Sequence, residues 1–73
     1  MDNEKLLKTF GINVKFERIK RKLSQEKVAE ALEFSAVYIS NVESGKHNVS
    51  LINAHKIARF YDKTLDYLLI EKE

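Results

Sequence analysis

The chain is expected to fold as an all-α domain of five helices, and three observations predict it. Its 73 residues contain no proline and only two glycines, which leaves little material for a turn-rich β architecture. Apolar residues recur at three- and four-residue spacing through most of the chain. Ser24, Ser35, Ser50 and Thr64 each stand just ahead of such a run, where a hydroxyl can accept from the free amides of a helix's first turn.

The first helix is expected to run to about Arg21, with Leu7, Phe10 and Val14 on one face. Gly11 interrupts it, and either Asp2 or Thr9 can cap its start. The second spans about 24–32, follows Ser24, and turns Val28, Ala29 and Leu32 inward. The third, about 35–43, follows Ser35 and buries Ile39 and Val42. The fourth follows Ser50, burying Leu51, Ala54, Ile57, Ala58 and Tyr61; Thr64 caps a short fifth, where Leu65, Leu68 and Leu69 pack down. No repeat, linker or low-complexity tract divides the chain, so residues 1–73 read as one unit.

Composition bounds the class. With 44% hydrophobic and 33% charged residues the chain is globular rather than disordered. A domain this short buries only ~60–65% of its unfolded surface. Without cysteine it has no disulfide staples or thiolate metal sites, so oligomerisation is the remaining reinforcement. The opening "MDNEKLLKTF" lacks the apolar core of a signal peptide, and no apolar run approaches ~18 residues. A cytoplasmic protein without a membrane segment is expected.

The net charge of +2 says less than its distribution. Between Lys15 and Lys22 stand Lys15, Arg18, Lys20, Arg21 and Lys22 against a single Glu17. Such a cluster suits a polyanion, and equally a solvated helix face.

The central pair of helices is joined by a turn of about three residues, so the two cross steeply, as in a helix-turn-helix unit. Val28, Leu32, Phe34, Ile39 and Val42 form their common floor. At about 100° per residue, Ala36, Val37, Ser40 and Asn41 fall on the opposite side of the third helix. That neutral, small-residue face fits the DNA major groove: methyls can touch the thymine methyl, and asparagine can pair with adenine through two hydrogen bonds. An ordinary surface would carry the same residue types, so shape alone leaves both readings open.

Arg18 continues the apolar stripe Leu7–Phe10–Val14, where a charge needs a fixed carboxylate or costs several kcal/mol. Glu43, one residue past Val42 on the inner side of the third helix, is the expected partner; Glu17 points differently and is a weaker one. The alternative has Arg18 tilting out to bind phosphate.

"LSQEKVAEAL", "YISNVESGK" and "LINAHKIARFYDKTLDYLL", in this order and spacing, resemble the phage-repressor and Cro-like helix-turn-helix family of DNA-binding transcriptional regulators, from roughly Val14 to Leu69. The resemblance implies a homodimer on near-palindromic double-stranded operator DNA. It places Ala36, Val37 and Asn41 at base-contacting positions, Ser40, on the same outer face and a further candidate for base contact, where phosphate contacts are common, and Arg18 and Glu43 at an internal salt bridge. Phosphate contacts fall to Gln25, Ser35, Tyr38, Lys46, His47 and Asn48, with Lys15, Lys20 and Lys22 on the basic rim. Gln25 also braces the first reading residue. Tyr38 has a second possible place, half-buried against the second helix, and His47 a second reading as a plain exposed loop residue. His55 faces partly inward and is expected to be packed rather than functional.

The chain departs from the family where relatives commonly carry glycine: Lys22, Glu33 and Asp62 hold those places, and Val49 holds a frequent proline. A left-handed Glu33 costs roughly 1 kcal/mol, so either the turn is built differently or the strain is tolerated. Position 36, often long and polar in relatives, is alanine. Direct hydrogen-bond readout therefore rests on Asn41 with Ser40 or His47, and DNA shape and thymine methyls supply the rest.

Phe60, Tyr67 and Ile70 exceed what a small core needs and are expected at a dimer interface; Phe60 covering the first helix is the alternative. No cofactor, metal site or small-molecule ligand is expected. The two histidines lack metal-ligand spacing and the carboxylates are scattered, which argues against an enzyme. The competing class is a protein-interaction module on the same scaffold, antitoxin-like, with Ala36 and Val37 forming a small apolar contact. A restriction–modification controller, a phage-type repressor and an antitoxin all fit the chain's size.

Overall fold

The computed structural model describes residues 2–72. They form five helices: α1 (Asn3–Lys20), α2 (Gln25–Leu32), α3 (Ala36–Ser44), α4 (Leu51–Phe60) and α5 (Leu65–Leu69), with no strand among the described residues. Each start has a side-chain acceptor. Ser24, Ser35, Ser50 and Thr64 accept from the amides of Lys27, Tyr38, Asn53 and Tyr67, each at 3.0 Å. For α1 the cap is Asp2, whose Oδ1 accepts from Glu4 at 3.1 Å and Lys5 at 3.3 Å.

Gly11 does not interrupt α1, contrary to the sequence expectation. Its reason for being glycine is a close approach. A Cβ there would lie 2.5 Å from the Glu43 carbonyl oxygen and 2.6 Å from that of Val42. α1 therefore crosses the end of α3 backbone against side-chain-free backbone, which draws Arg18 within reach of Glu43. Gly11→Ala should destabilise the protein by roughly 1–3 kcal/mol in chemical denaturation, through overpacking. Helix propensity alone predicts the opposite sign, a gain of about 1 kcal/mol.

Four helices end alike. The amides of Leu23, Phe34, Lys46 and Lys63 reach back to the carbonyls of Arg18, Ala29, Asn41 and Ala58, at 2.8–3.2 Å. Each follows a left-handed residue: Lys22, Glu33, Gly45 and Asp62, with φ between 58° and 72°. This is the Schellman closure, and only Gly45 adopts it without Cβ strain. The glycine-poor turns are thus built in the ordinary way and carry the strain. Glu33→Gly should raise stability by up to about 1 kcal/mol, since Glu33 is exposed and relief of strain outweighs the added freedom of the unfolded chain. An unchanged or lowered denaturation midpoint would show that the relief of strain does not exceed the entropy that glycine adds to the unfolded chain.

Phe10, Val14, Val28, Ala29, Ile39, Val42, Ile57, Ala58, Tyr61 and Leu68 form the core. Asn13, buried in α1, donates through Nδ2 to the carbonyls of Leu68 at 2.7 Å and Ile70 at 2.9 Å, and so fastens the end of α5. Three expected core or packed positions are corrected. Leu51 is 76% exposed, because its turn of α4 opens onto a groove with Leu6, Leu7, Val49 and Leu65 rather than being covered. Leu69 lines the same groove and is exposed, and His55 projects into solvent. Phe60, expected at an exposed interface, is half-buried and lies edge-on to Tyr61 with ring centres 5.0 Å apart.

Candidate DNA-reading face

α2 and α3 are set by their turn. Glu33 reverses the chain, Phe34 tucks beneath it, and the Phe34 and Tyr38 rings meet edge to face at 5.0 Å. Ile39 and Val42 then point into the core, which fixes the rotation of α3. On its far side Val37 is 70% exposed and Ser40 is open, while Ala36 and Asn41 are half-buried at the edges of that face. The surface is neutral. Lys46, His47 and Asn48 follow as an exposed loop, and Lys15 and Lys22 are exposed on α1 and its closing turn.

A buried ion pair holds α3 in place. Arg18 Nε donates to Glu43 Oε2 at 2.7 Å and Nη2 to Oε1 at 3.1 Å, in a bidentate fork with side chains 12% and 3% exposed. Two further hydrogen bonds reinforce the pair: Arg18 Nη1 donates to the Leu23 carbonyl at 2.8 Å, and Gln25 Nε2 to Glu43 Oε1 at 3.0 Å. The hydrogen bond to Glu43, set against burial, raises the Arg18 guanidinium above its ordinary range. Gln25, at the first turn of α2, is thereby oriented by the same carboxylate that anchors α3.

Residues the sequence reading missed complete the scaffold. Glu17, considered only as a second partner for Arg18, is 1% exposed and belongs to another cluster, with Arg21 and Lys20. Burial pushes its carboxyl up, but the hydrogen bonds and charges of Arg21 and Lys20 together hold it below the usual carboxylate range. The i,i+3 and i,i+4 spacings were visible; the burial was not. Asn53 Nδ2 donates to the Tyr38 hydroxyl at 3.0 Å and ties α3 to α4. Ser35 has its Oγ engaged as the α3 cap and stays exposed.

Between the two ion clusters lies Tyr61, fully buried, with its hydroxyl lacking a hydrogen-bond partner among the described residues. Burial pushes its phenol up to about 12. The folded state therefore favours the protonated phenol, and that contribution is complete below pH 10 and lost as pH climbs towards 12. The loss is of order 2–3 kcal/mol. Tyr61→Phe should be neutral or slightly stabilising at pH 7 and should flatten the decline in the melting midpoint between pH 10 and 12. Equal alkaline declines in both proteins would contradict this.

This arrangement, a tightly turned helix pair whose second member shows a small neutral face beside a basic loop, is that of a helix-turn-helix DNA-binding regulator. The chain belongs to that family: the Helix-turn-helix profile matches residues 14–68, and the relationship is to the Cro and phage-repressor type. It is similar to control protein C.MunI of Mycoplasma sp, 43% identical over 61 residues that cover 81% of this chain and 82% of that protein. It is also similar to control protein C.BamHI of Bacillus amyloliquefaciens, 43% identical over 51 residues covering 68% of this chain and 63% of that protein. It is thus a DNA-binding regulator of the controller type. No helix among the described residues is long and apolar enough to cross a membrane.

Proposed function

We propose that the chain is a cytoplasmic, non-enzymatic regulator that binds a near-palindromic duplex operator as a homodimer, with α3 in the major groove. The observation that carries this reading is the neutral outer face of α3, open at Val37 and Ser40 and bordered by Asn41, Ala36 and the Lys46–His47–Asn48 loop. Val37 and Ala36 meet thymine methyls, and Asn41 and Ser40 supply the hydrogen bonds. Gln25, Ser35, Tyr38, Lys15, Lys22 and the loop hold phosphates. Likeness to two control proteins supports a restriction–modification operon as the target.

The dimer contact is revised from the sequence expectation. Phe60 is half-buried on the core, whereas Leu51, Ile52, Leu69 and Ile70 are exposed. At about 100° per residue Leu65 and Leu69 share one flank of α5 and Tyr67 lies on the other. The Leu65–Leu69 flank joins Val49 and Leu51, just beyond the loop that follows α3. A twofold contact there brings two reading helices to one side of the duplex, one DNA turn of ~34 Å apart.

Selection of bound duplexes from a random pool, with affinity followed against salt and sedimentation run in parallel, tests the proposal. The expected result is a twofold-symmetric consensus, a steep salt slope and a dimer at tens of micromolar. No enrichment with a shallow salt response would move the chain to the protein-interaction class.

A further inference from the structure

α1 has a second apolar face that neither the core nor the reading helix uses. Ile12, Phe16 and Ile19 are 65%, 59% and 54% exposed. At about 100° per residue they lie within a 60° arc, opposite the side that buries Phe10 and Val14. α1 meets α3 through Gly11 and Arg18, so this stripe stays open when the outer face of α3 is occupied. Three large side chains in a row over two turns is more than scattered surface hydrophobicity.

The stripe borders a hollow. Ile12, Phe16 and Tyr67 form its walls, Asn13 and Glu17 its floor and Lys72 one end, enclosing ≈ 300 Å³. This is the lower limit of a small-ligand pocket and, being open along α1, suits side chains from a packed helix better than a free molecule. Tyr67 lies on the flank of α5 away from Leu65 and Leu69, so the hollow is separate from the dimer contact proposed above.

The rim is cationic. Lys20 Nζ lies 5.4 Å from the Phe16 ring centre, and the Lys63 and Lys72 ammonium groups lie 4.6 Å and 4.0 Å from that of Tyr67. The floor carboxylate, Glu17, is buried and already neutralised by Arg21 and Lys20, and Glu71 pairs with Lys5 at 3.3 Å. An apolar groove about 10 Å long with ammonium groups along its edge is complementary to an amphipathic helix whose apolar positions are flanked by carboxylates. A second copy of this chain would bring lysine against lysine. A bilayer would leave the concave hollow unfilled.

We infer that the α1–α5 groove is a docking surface for an acidic amphipathic helix of another protein, engaged while α3 faces DNA. The inference rests on α1 and α5 and holds or fails independently of what α3 reads. The probe is a stapled 18-residue helical peptide with leucines at i, i+3, i+4 and i+7 and glutamates flanking them, titrated into the ¹⁵N-labelled full chain. Amide shifts should centre on Ile12, Phe16, Ile19 and Tyr67. The same peptide with lysine for glutamate should bind at least ten-fold more weakly. Phe16→Ser should weaken the acidic peptide at least ten-fold with the melting midpoint and duplex affinity unchanged. Shifts centred on Val37, Asn41 and Lys46 would mean that the peptide merely mimics DNA, and would overturn the inference. So would equal binding of the two peptides, no response at millimolar peptide, or retention on phosphatidylglycerol vesicles without a peptide response.

Discussion

Glu43→Ala should lower the free energy of unfolding by roughly 3–5 kcal/mol, a large fraction of the 5–15 kcal/mol available to a small domain. The size follows from what is left behind. Arg18 would keep only the Leu23 carbonyl as an acceptor, in a site where its side chain is 12% exposed, and Gln25 would lose the oxygen that orients it. An unpaired buried charge is costlier than the pair is stabilising. The double variant Arg18→Met with Glu43→Leu should therefore recover most of the loss, since it removes both charges and keeps the volume. Urea denaturation of the single and double variants decides the matter. Equal losses in both would mean that packing around Glu43, and not the ion pair, carries the effect.

Val37→Glu should reduce affinity for the selected duplex at least 100-fold while leaving the thermal midpoint within about 1 °C of the parent. Val37 is 70% exposed and packs on little, so folding is indifferent to it. In the groove the change removes a methyl contact worth about 1–3 kcal/mol and sets a carboxylate among phosphates. Parental affinity in Val37→Glu would take Val37 off the DNA surface. A collapse in stability would show that it belongs to the core.

What was legible in the sequence was local or self-contradictory. Ser24, Ser35, Ser50 and Thr64 announce helix starts because a cap and the amide it serves lie within three residues. Arg18 in an apolar stripe poses a problem that only a carboxylate on the facing helix can solve, and the chain has one at the required place in α3. The exposure of Val37 and Ser40 follows from helical arithmetic once Ile39 and Val42 are turned inward.

What was not legible depends on distant parts of the chain. Gly11 reads as a break until the carbonyls of Val42 and Glu43 arrive beside it. Periodicity marks Leu51 and Leu69 as inward-facing but cannot say that their turns overhang an open groove. Glu17 reads as a weaker partner for Arg18 until the fold buries it to 1% exposure beside Arg21 and Lys20, with Arg21 also donating to the Tyr61 carbonyl at 2.8 Å. The edges of the reading face show the same dependence: Ala36 and Asn41 are half-buried by the way α3 crosses its neighbours, which no spacing rule encodes.

The central claim is that α3 reads DNA from the major groove, twice, across a twofold axis. Methylation interference on the selected duplex tests it most directly, because dimethyl sulfate modifies guanine N7 in the major groove and adenine N3 in the minor groove. Two clusters of interfering N7 positions, centred about 10 base pairs apart on one face of the duplex, are the expected result. Interference confined to adenine N3, or N7 effects without twofold spacing, would contradict it.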